Sequence, residues 1–463
     1  ILDSGCSGNC LLLAACATPR LPATPTEAAP ERWQATLPHG GDATTLAGWW
    51  QRFDDPLVPA LLADAQAGNP TLAQSLARLA QARAVVRESA SQRWPRLDAT
   101  AQAQRGASAS GNFAAATQGS IGVDAQWEVD LFGATRAQIA AVQARSEQAA
   151  LGWHAARVSL AADVAGNYVA LRACEAQQQV ADQDSASQQQ TAELTREKVR
   201  VGFEAPASGA LADGAAADAA NRAIAQRADC DVLVKALVVL TGQAESALRA
   251  RLAPNTAKLP SPGSFAVAAL PTQLLQQRPD IAAAERTLVA AAAEVGVAEA
   301  ARYPRLTFSG TLGASSLRTG GATLDGTAWG FGPQLVLPLF DAGARAARED
   351  TARARYDEAR ATLDAQLRSA VAEVEEALVR LDAATRRESQ AQRAAQGFID
   401  FFAAAEQRWR IGAGSLIDRE DARRTALAAQ NALIAVRRER VAAWVALYRS
   451  LGGGWQNGDP TPK

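Results

Sequence analysis

The sequence predicts an α+β fold in which long helices and four short strands form two copies of one unit. Three observations lead to this fold class. Short motifs recur in the same order about 210 residues apart, each copy has a segment of alternating apolar and polar residues, and residues 134–201 and 343–410 contain no proline. Hydrophobic residues make up 48% of the chain but aromatic residues only 5%, which favours thin, closely packed helices over one large core.

The internal duplication rests on five pairs of motifs with a nearly constant spacing. The pairs are Asn69-Pro70 with Arg278-Pro279, Trp94-Pro95 with Tyr303-Pro304, Leu131-Phe132 with Leu339-Phe340, Arg200-Val201-Gly202 with Arg410-Ile411-Gly412, and Leu237 and Gly242 with Leu447 and Gly452. Residues 57–243 are therefore predicted to form the first copy and residues 271–452 the second. A proline-containing connector at 244–270 joins the copies, and a tail at 453–463 follows them.

The N-terminus resembles a secretory leader at its cleavage site. An apolar run, Leu11-Leu12-Leu13-Ala14-Ala15, comes directly before Cys16, as in the bacterial lipobox. We expect residues 1–15 to be a leader, Cys16 to be lipidated and residues 16–56 to be extended; the alternative is a chance run with a free cysteine. By analogy with lipoprotein sorting, Ala17 favours the outer membrane. One lipid chain anchors a protein only marginally, so a second means of membrane attachment is expected.

Each copy is predicted to begin with a helix and two strands. A helix over 57–92 stops before Pro95, and strands follow within 96–132, where apolar residues from Ile121 to Leu131 alternate with small or polar ones. The loop between the two strands of the first copy is assigned to Gly106, Gly111 and Gly119. In the second copy, whose strands lie within 305–340, Gly320-Gly321 form the loop. Strands of about 10 residues have the length that a tilted strand needs to cross a bilayer.

A long helical hairpin follows the strands in each copy, at 134–242 and at 343–451, with turns at Gly202 and Gly412. At about 1.5 Å per residue, the first helix of each hairpin would reach roughly 100 Å. A helix of that length does not form a compact domain alone. We therefore expect a long, thin antiparallel wall of helices with the strands at one end and the two glycine turns at the other.

Cys174 and Cys230 are candidates for a disulfide bond. They lie at equal distances before and after Gly202, so an antiparallel hairpin would place them at the same height on facing helices. An oxidising periplasm would permit the bond. The alternative is two buried, reduced cysteines, because ordinary helix separation exceeds the Cα spacing of a disulfide.

Four strands cannot close a barrel in lipid, and open strand edges are not tolerated there. Three chains would supply twelve strands, above the eight or so of the smallest closed bacterial barrels. Closure by association is therefore required if these strands span a membrane.

The sequence resembles the outer-membrane factors of tripartite efflux systems, which have the TolC-like fold, and within them the NodT-type or OprM-like lipoproteins. The motifs are Trp127-Glu128-Val129-Asp130-Leu131-Phe132-Gly133, Gln277-Arg278-Pro279-Asp280-Ile281, Gly296-Val297-Ala298-Glu299-Ala300, Pro338-Leu339-Phe340-Asp341-Ala342-Gly343 and residues 447–455. The resemblance implies a homotrimer with a 12-stranded β-barrel in the outer membrane and an α-helical periplasmic tunnel. It also implies an exit duct for an inner-membrane efflux pump of the resistance-nodulation-division type, coupled through a periplasmic adaptor (membrane fusion) protein.

The resemblance assigns functional residues to the two hairpin turns. Adaptor contact is expected at Arg200, Val201, Gly202, Phe203, Arg410, Ile411, Gly412, Ser415 and Leu416. The alternative is that these glycines serve the turns alone.

The resemblance also implies an aperture gate just beyond the second turn, at Ile417, Asp418 and Asp421, where threefold symmetry would bring like charges together. The alternative is that Asp418 and Asp421 are surface carboxylates beside neighbouring arginines. The corresponding first-copy segment, 204–213, contains Pro206 and lacks the acidic match, so a symmetric gate is not expected.

Other functional classes find little support. The net charge of −1 gives no basic footprint for nucleic acid. His39 and His154 have no cysteine or carboxylate at metal-ligand spacing, so we expect no metal, no cofactor and no enzymatic activity. Two rival functions remain: the exit of a protein-secreting type I system, against which the lipobox argues, and a helical scaffold without a pore, which leaves the strand segments unexplained.

Overall fold

The structure, a computed structural model, describes residues 34–35, 49–51, 53–107, 115–262, 277–455 and 461. Cys16, the leader and His39 lie outside these residues. The chain divides into two compact units, each assembled from separate segments. Among the described residues, the first consists of those within Ala77–Leu151 and Ala282–Ala365, and the second of those within Glu27–Leu76, Gly152–Ile281 and Gln366–Lys463.

The described α-helices and strands contain the order helix, strand, strand, helix, helix twice, with one further helix before the first set and one after it. They are α1 (Leu57–Gly68), α2 (Pro70–Ser91), β1 (Arg96–Ala107), β2 (Ala115–Val129), α3 (Ala134–Arg200), α4 (Pro206–Thr241), α5 (Glu245–Leu252), α6 (Pro279–Ala300), β3 (Arg305–Thr319), β4 (Ala322–Val336), α7 (Ala344–Arg410) and α8 (Leu416–Ser450). Helices α3 and α7 have 67 residues each. No helix in the described part of the chain has the length and apolar character needed to cross a membrane.

The first unit contains a four-stranded antiparallel sheet with the strand order β1-β2-β3-β4. Its register aligns Val123 with Leu312 and Leu312 with Trp329, so these apolar side chains share one face. All three are exposed, Trp329 to 82%. On the other face, the Thr100 hydroxyl donates to the Asp124 carboxylate at 3.2 Å. The sheet therefore has one apolar and one more polar face, and β1 and β4 form its edges.

The strands are longer than the expected ten residues, at 12 for β1 and 15 for each of the others. Gly106 and Gly119, both assigned to a loop, lie within β1 and β2, where neither has a close neighbour, and Gly111 lies outside the described residues. At the other end, β4 stops at Val336, two residues before Pro338, and the expected strand residues 337–340 lie outside it. Proline has no N–H group to donate to a sheet.

The helix expected over 57–92 is two helices, α1 and α2, separated at Asn69. Its backbone is extended, with φ −77° and ψ 122°. The Asn69 side-chain oxygen accepts a hydrogen bond from the Thr71 N–H at 2.9 Å, and Pro70 occupies the first position of α2. An asparagine cap followed by proline is a typical helix start, so the chain ends one helix and begins another here. The expected connector at 244–270 also begins with a helix, α5.

The main apolar core of the second unit is formed by residues of α1, α2, α3, α4, α5, α7 and α8. Its fully buried side chains include Leu61, Tyr168, Leu237, Leu248, Leu378 and Leu447. Trp49 packs edge-on against Trp444, with 5.6 Å between the ring centroids. This core holds the two helical hairpins, α3–α4 and α7–α8, whose turns carry the candidate site.

Candidate functional site

The two hairpin turns have the same backbone geometry. After α3, Gly202 has φ +81° and the Phe203 N–H donates to the Lys198 carbonyl at 2.8 Å. After α7, Gly412 has φ +76° and the Ala413 N–H donates to the Arg408 carbonyl, also at 2.8 Å. This is the left-handed helix cap that favours glycine. Both turns are thus fixed by local hydrogen bonds and do not need side-chain packing to form.

Bulky apolar side chains project from both turns. Phe203 is 84% exposed and Ile411 is 77% exposed, and Val201 beside them is also exposed. Single exposed apolar residues are common on protein surfaces, but two of this size at equivalent turns form a repeated feature. The turns therefore offer apolar contact points that the fold itself does not use.

A small apolar cluster joins the two hairpins just above these turns. It contains Ala192 of α3, Ala212 of α4, Trp409 of α7 and Leu416 of α8. The Trp409 ring lies between two cations, with the Arg419 guanidinium 5.0 Å and the Lys198 ammonium 4.8 Å from its centroid. Ser415 caps α8, because its side chain accepts a hydrogen bond from the Asp418 N–H at 3.0 Å. Each hairpin thus contributes to one packed cluster next to the turns.

Next to this cluster lies a buried ionic network on α8 and α3. The Arg419 guanidinium is 2.5 Å from the Glu420 carboxylate, and Arg423 donates to the same carboxylate at 2.9 Å. Arg423 also pairs with Asp184, and the Gln188 amide donates to Glu420 at 2.5 Å. All five side chains are buried. Buried charges are tolerated only when paired in this way.

Arg423 is charged at neutral pH, and the network around it reaches a third helix. Burial, reinforced by the nearby Arg424 charge, lowers the pKa of Arg423 to about 10, so its guanidinium is still a cation at neutral pH. Asp184 is also contacted by Arg222 of α4 at 3.2 Å. One carboxylate of α3 therefore binds arginines from α4 and α8.

A cavity of about 870 Å³ opens beside the network between α3, α4 and α8. Its lining combines charged groups, among them Asp184, Arg222 and Glu420, with the apolar side chains of Leu211 and Ile417. The exposed part of this lining can accept a further helix or a solute.

Sequence comparison assigns the two copies to a known family. Residues 61–243 and 270–453, together most of the chain, match the outer membrane efflux protein family. The chain belongs to the outer membrane efflux protein family.

Relatives of this efflux protein match it over nearly their full length. It is 29% identical to the pyoverdine export outer membrane protein OpmQ of Pseudomonas aeruginosa, covering 97% of this chain and 96% of the relative. It is 30% identical to the toluene efflux pump outer membrane protein TtgC of Pseudomonas putida, covering 89% and 86%. The structure of the outer-membrane channel OprN superposes with a TM-score of 0.80 at 30% identity, covering 94% of this chain and 99% of that one. The efflux protein therefore has the fold of an outer-membrane channel.

The expected gate residues lie in two settings in the efflux protein. Ile417 lines the cavity, whereas Asp418 and Asp421 are both exposed. Asp421 pairs with Arg424 of the same helix at 2.8 Å. The structure thus brings Ile417, but neither aspartate, to the network between the hairpins.

Sequence reasoning missed the buried members of this network. Leu416, Arg419, Glu420, Arg423 and Ala426 recur at three- and four-residue steps and are all buried on one face of α8. This helical spacing, with two apolar residues among the charged ones, is the pattern in the sequence that indicates a buried helix face.

Cys174 of α3 and Cys230 of α4 are joined by a disulfide bond in the efflux protein, with their Cα atoms 5.6 Å apart. Both are buried in the apolar core of the second unit. The Gln226 amide donates to the Cys174 carbonyl at 3.4 Å. The bond ties the two helices of the first hairpin.

Proposed function

We propose that this efflux protein is the exit duct of a tripartite drug or solute pump of the resistance-nodulation-division type. Three copies associate, their strands form a 12-stranded barrel in the outer membrane, and their helices form a periplasmic tunnel. The two sheet edges of one chain and its exposed apolar row, which ends at Trp329 on the edge strand β4, support this association. The duct is passive: it requires no catalytic residue and no cofactor.

The adaptor docks at the two hairpin turns in this proposal. The observation that carries it is the exposure of Phe203 and Ile411 on two turns of identical backbone geometry. An apolar contact at each turn gives an adaptor hairpin two anchoring points, and beside them lie Arg200 and Arg410, each paired with a glutamate of its own helix. The inner-membrane pump is coupled through the adaptor, and lipidation at Cys16 adds an anchor in the outer membrane.

Ile417, Asp418 and Asp421 form the aperture in the trimer. Threefold symmetry repeats the exposed carboxylates of Asp418 and Asp421 around one axis, which favours cations and raises the cost of bringing the three chains together. An Asp421→Ala substitution is expected to change single-channel conductance and cation selectivity in planar bilayers. Conductance and selectivity equal to the native channel would remove Asp421 from the gate.

The exported substrate follows from the pump rather than from the duct. Among the relatives, OpmQ is named for pyoverdine export, TtgC for toluene efflux and CusC of Escherichia coli for cation efflux. One fold thus serves chemically unrelated cargo, and a wet tunnel lined by polar groups is consistent with this range.

The test replaces both exposed tip residues. Phe203→Ser with Ile411→Ser is expected to abolish solute export and adaptor crosslinking in a strain that lacks other outer-membrane factors, while the protein still reaches the outer membrane. Val379→Ser is the matched control, because Val379 is also exposed, to 57%, but lies within α7 away from its end. Full export by the double variant would contradict docking at the turns. Crosslinked partners, identified by mass spectrometry, would separate a drug pump from a type I secretion system.

A further inference from the structure

A second cavity, of about 510 Å³, lies in the first unit where three helices meet the strands. It is lined by the first three to four turns of α3 and α7, which directly follow β2 and β4, and by the last turns of α6, which precede β3. The candidate site above uses none of these residues.

Four arginines line this cavity: Arg145 of α3, and Arg345, Arg348 and Arg355 of α7. Arg145 pairs with Glu294, and Arg345 binds Asp341 at 2.7 Å. In the part of the chain that the structure describes, neither Arg348 nor Arg355 has a carboxylate partner. These two lie seven residues apart, hence on one face of α7, and both are exposed. The cavity thus holds more cations than anions.

This excess contrasts with the other arginines near the strands. Several of those are paired: Arg136 with Asp130, Arg286 with Glu147, Arg302 with Glu349, Arg305 with Glu128, and Arg353 with Glu299 and Glu349. Among the described residues, Arg348 and Arg355 have no such carboxylate partner and line the same concave surface. Two guanidinium groups on one wall of a cavity can bind phosphate oxygens, because each can donate two parallel hydrogen bonds.

We propose that this cavity binds a phosphate-bearing anion through Arg348 and Arg355. Two sources have this chemistry, the headgroup of an acidic phospholipid and free phosphate. The position of the cavity favours the lipid headgroup, and this argument rests on the proposed function. If β1–β4 cross the outer membrane, the adjoining helix turns face its periplasmic leaflet. Arg348 is four residues from the start of α7, about 6 Å along the helix axis.

The direction of the arginine side chains supports the same ligand. Helical side chains lean toward the N-terminus of their helix. Helices α3 and α7 both start at the strands, so Arg145, Arg348 and Arg355 lean toward the strand ends. Long arginine side chains can extend further in that direction and place their charge among headgroups.

The test compares two double variants of the full-length protein. Arg348→Gln with Arg355→Gln removes the unpaired cations, and Arg380→Gln with Arg393→Gln removes the same charge from exposed positions further along α7. Each protein is equilibrated with equal amounts of phosphatidylglycerol and phosphatidylcholine, and the retained lipid is counted by native mass spectrometry. We expect the native protein and the control to prefer phosphatidylglycerol, and the cavity variant to lose that preference by about tenfold or more.

A second arm identifies the source of the phosphate. Inorganic phosphate is titrated into each protein by calorimetry. Binding heat that disappears only in the cavity variant, with equal lipid retention by all proteins, would assign the site to free phosphate. Equal lipid retention and equal phosphate heat in all three proteins would overturn the proposal. So would dissociation of the oligomer in the cavity variant with both kinds of binding intact, because the arginines would then serve a second copy of the chain.

Failure of this proposal can be told from failure of the proposed function. Lipid retention is measured on purified protein, whereas membrane location is measured by fractionation of cells. A cavity that binds headgroups in a protein absent from the outer membrane would contradict the exit duct and leave the site intact.

Discussion

Arg423 and Arg424 are neighbours in sequence with opposite environments. Arg423 is buried against Asp184 and Glu420, whereas Arg424 and its partner Asp421 are both well exposed. Removing one partner of a buried ion pair strongly lowers the stability of the protein, because the remaining charge stays in a poorly solvated place. An exposed pair is screened by water and contributes little.

Arg423→Gln is therefore expected to lower the free energy of unfolding by about 3–5 kcal/mol. Arg424→Gln, the matched control, should change it by less than about 1 kcal/mol. Thermal loss of the helical circular dichroism signal measures both. Equal melting temperatures for the two variants would mean that the buried network does not hold α8 to α3.

Tyr168 is fully buried in the core of the second unit and is tied to a carboxylate. Its hydroxyl donates to Asp55, which also accepts from the Asn255 amide at 3.0 Å. The Arg172 guanidinium lies 4.8 Å from the tyrosine ring centroid. Burial first, and then the hydrogen bond to Asp55, raise the pKa of Tyr168 well above its ordinary value of 10.0, despite the nearby arginine.

This shift predicts a loss of stability at alkaline pH. Below pH 10 the phenol is protonated in both folded and unfolded chains, and its stabilising contribution is complete. Above pH 10 the unfolded chain releases the proton while the folded chain keeps it, so stability falls by up to about 1.4 kcal/mol per pH unit until the raised pKa is reached. Tyr168→Phe lacks this dependence.

The measurement is the difference in melting temperature between the native protein and Tyr168→Phe at pH 8 and at pH 11. We expect the advantage of the native protein to shrink at the higher pH. The other three tyrosines of the chain titrate in both proteins and cancel. A difference that is constant across the two pH values would contradict a raised pKa.

At the scale of elements, the disulfide between α3 and α4 defines the first hairpin. The two cysteines are 56 residues apart in sequence, and a cross-link over such a loop removes conformational freedom from the unfolded chain. Loops of this size correspond to about 4 kcal/mol in the chain-entropy account, before losses from altered packing.

Cys174→Ser with Cys230→Ser is accordingly expected to destabilise the protein by about 2–4 kcal/mol. Reduced native protein retains both sulfur atoms, so it separates the loss of the bond from the loss of sulfur packing. Its melting temperature should be close to that of the variant. Alkylation followed by mass measurement reports the thiols. Two free thiols in native protein purified without reductant would contradict the bond.

The order of the helices and strands could be predicted from the sequence more readily than the residues at which they begin and end. The glycine turns at Gly202 and Gly412 and the helices without proline could be predicted, because proline and glycine act locally on the backbone. The break at Asn69 was missed although its Asn-Pro signal is equally local. The buried network around Glu420 could not be placed, since it depends on which face of α8 meets α3, a property of packing between residues more than 200 apart.

At the scale of the whole molecule, one chain leaves its sheet incomplete. β1 and β4 are edges, and the apolar row of Trp329, Leu312 and Val123 is exposed. In the proposed trimer, edge strands of neighbouring copies pair and the apolar row faces lipid. Native mass spectrometry should then find three chains in the detergent-purified protein.

Trp329→Arg should impair insertion, because a lipid-facing arginine near the bilayer midplane costs about 2–4 kcal/mol in a transmembrane barrel. Ala328→Arg is a control at nearly the same depth, since adjacent strand residues face opposite sides of the sheet. The amount of trimer in isolated outer membranes measures both. Equal insertion of the two variants would contradict the assignment of the apolar face to lipid.

The disulfide has no counterpart in the second copy. The corresponding positions, about 210 residues further on, are Ala384 and Arg440, and α7 and α8 are joined there by ion pairs, Arg440 with Glu388 at 2.8 Å and Arg387 with Glu439 at 2.6 Å. Ion pairs weaken as salt rises, more where the groups are exposed, as in Arg387–Glu439, than where they are partly buried, as in Arg440–Glu388, whereas a covalent bond is indifferent to salt. The two hairpins therefore respond to different properties of their surroundings, the first to thiol redox conditions and the second to ionic strength.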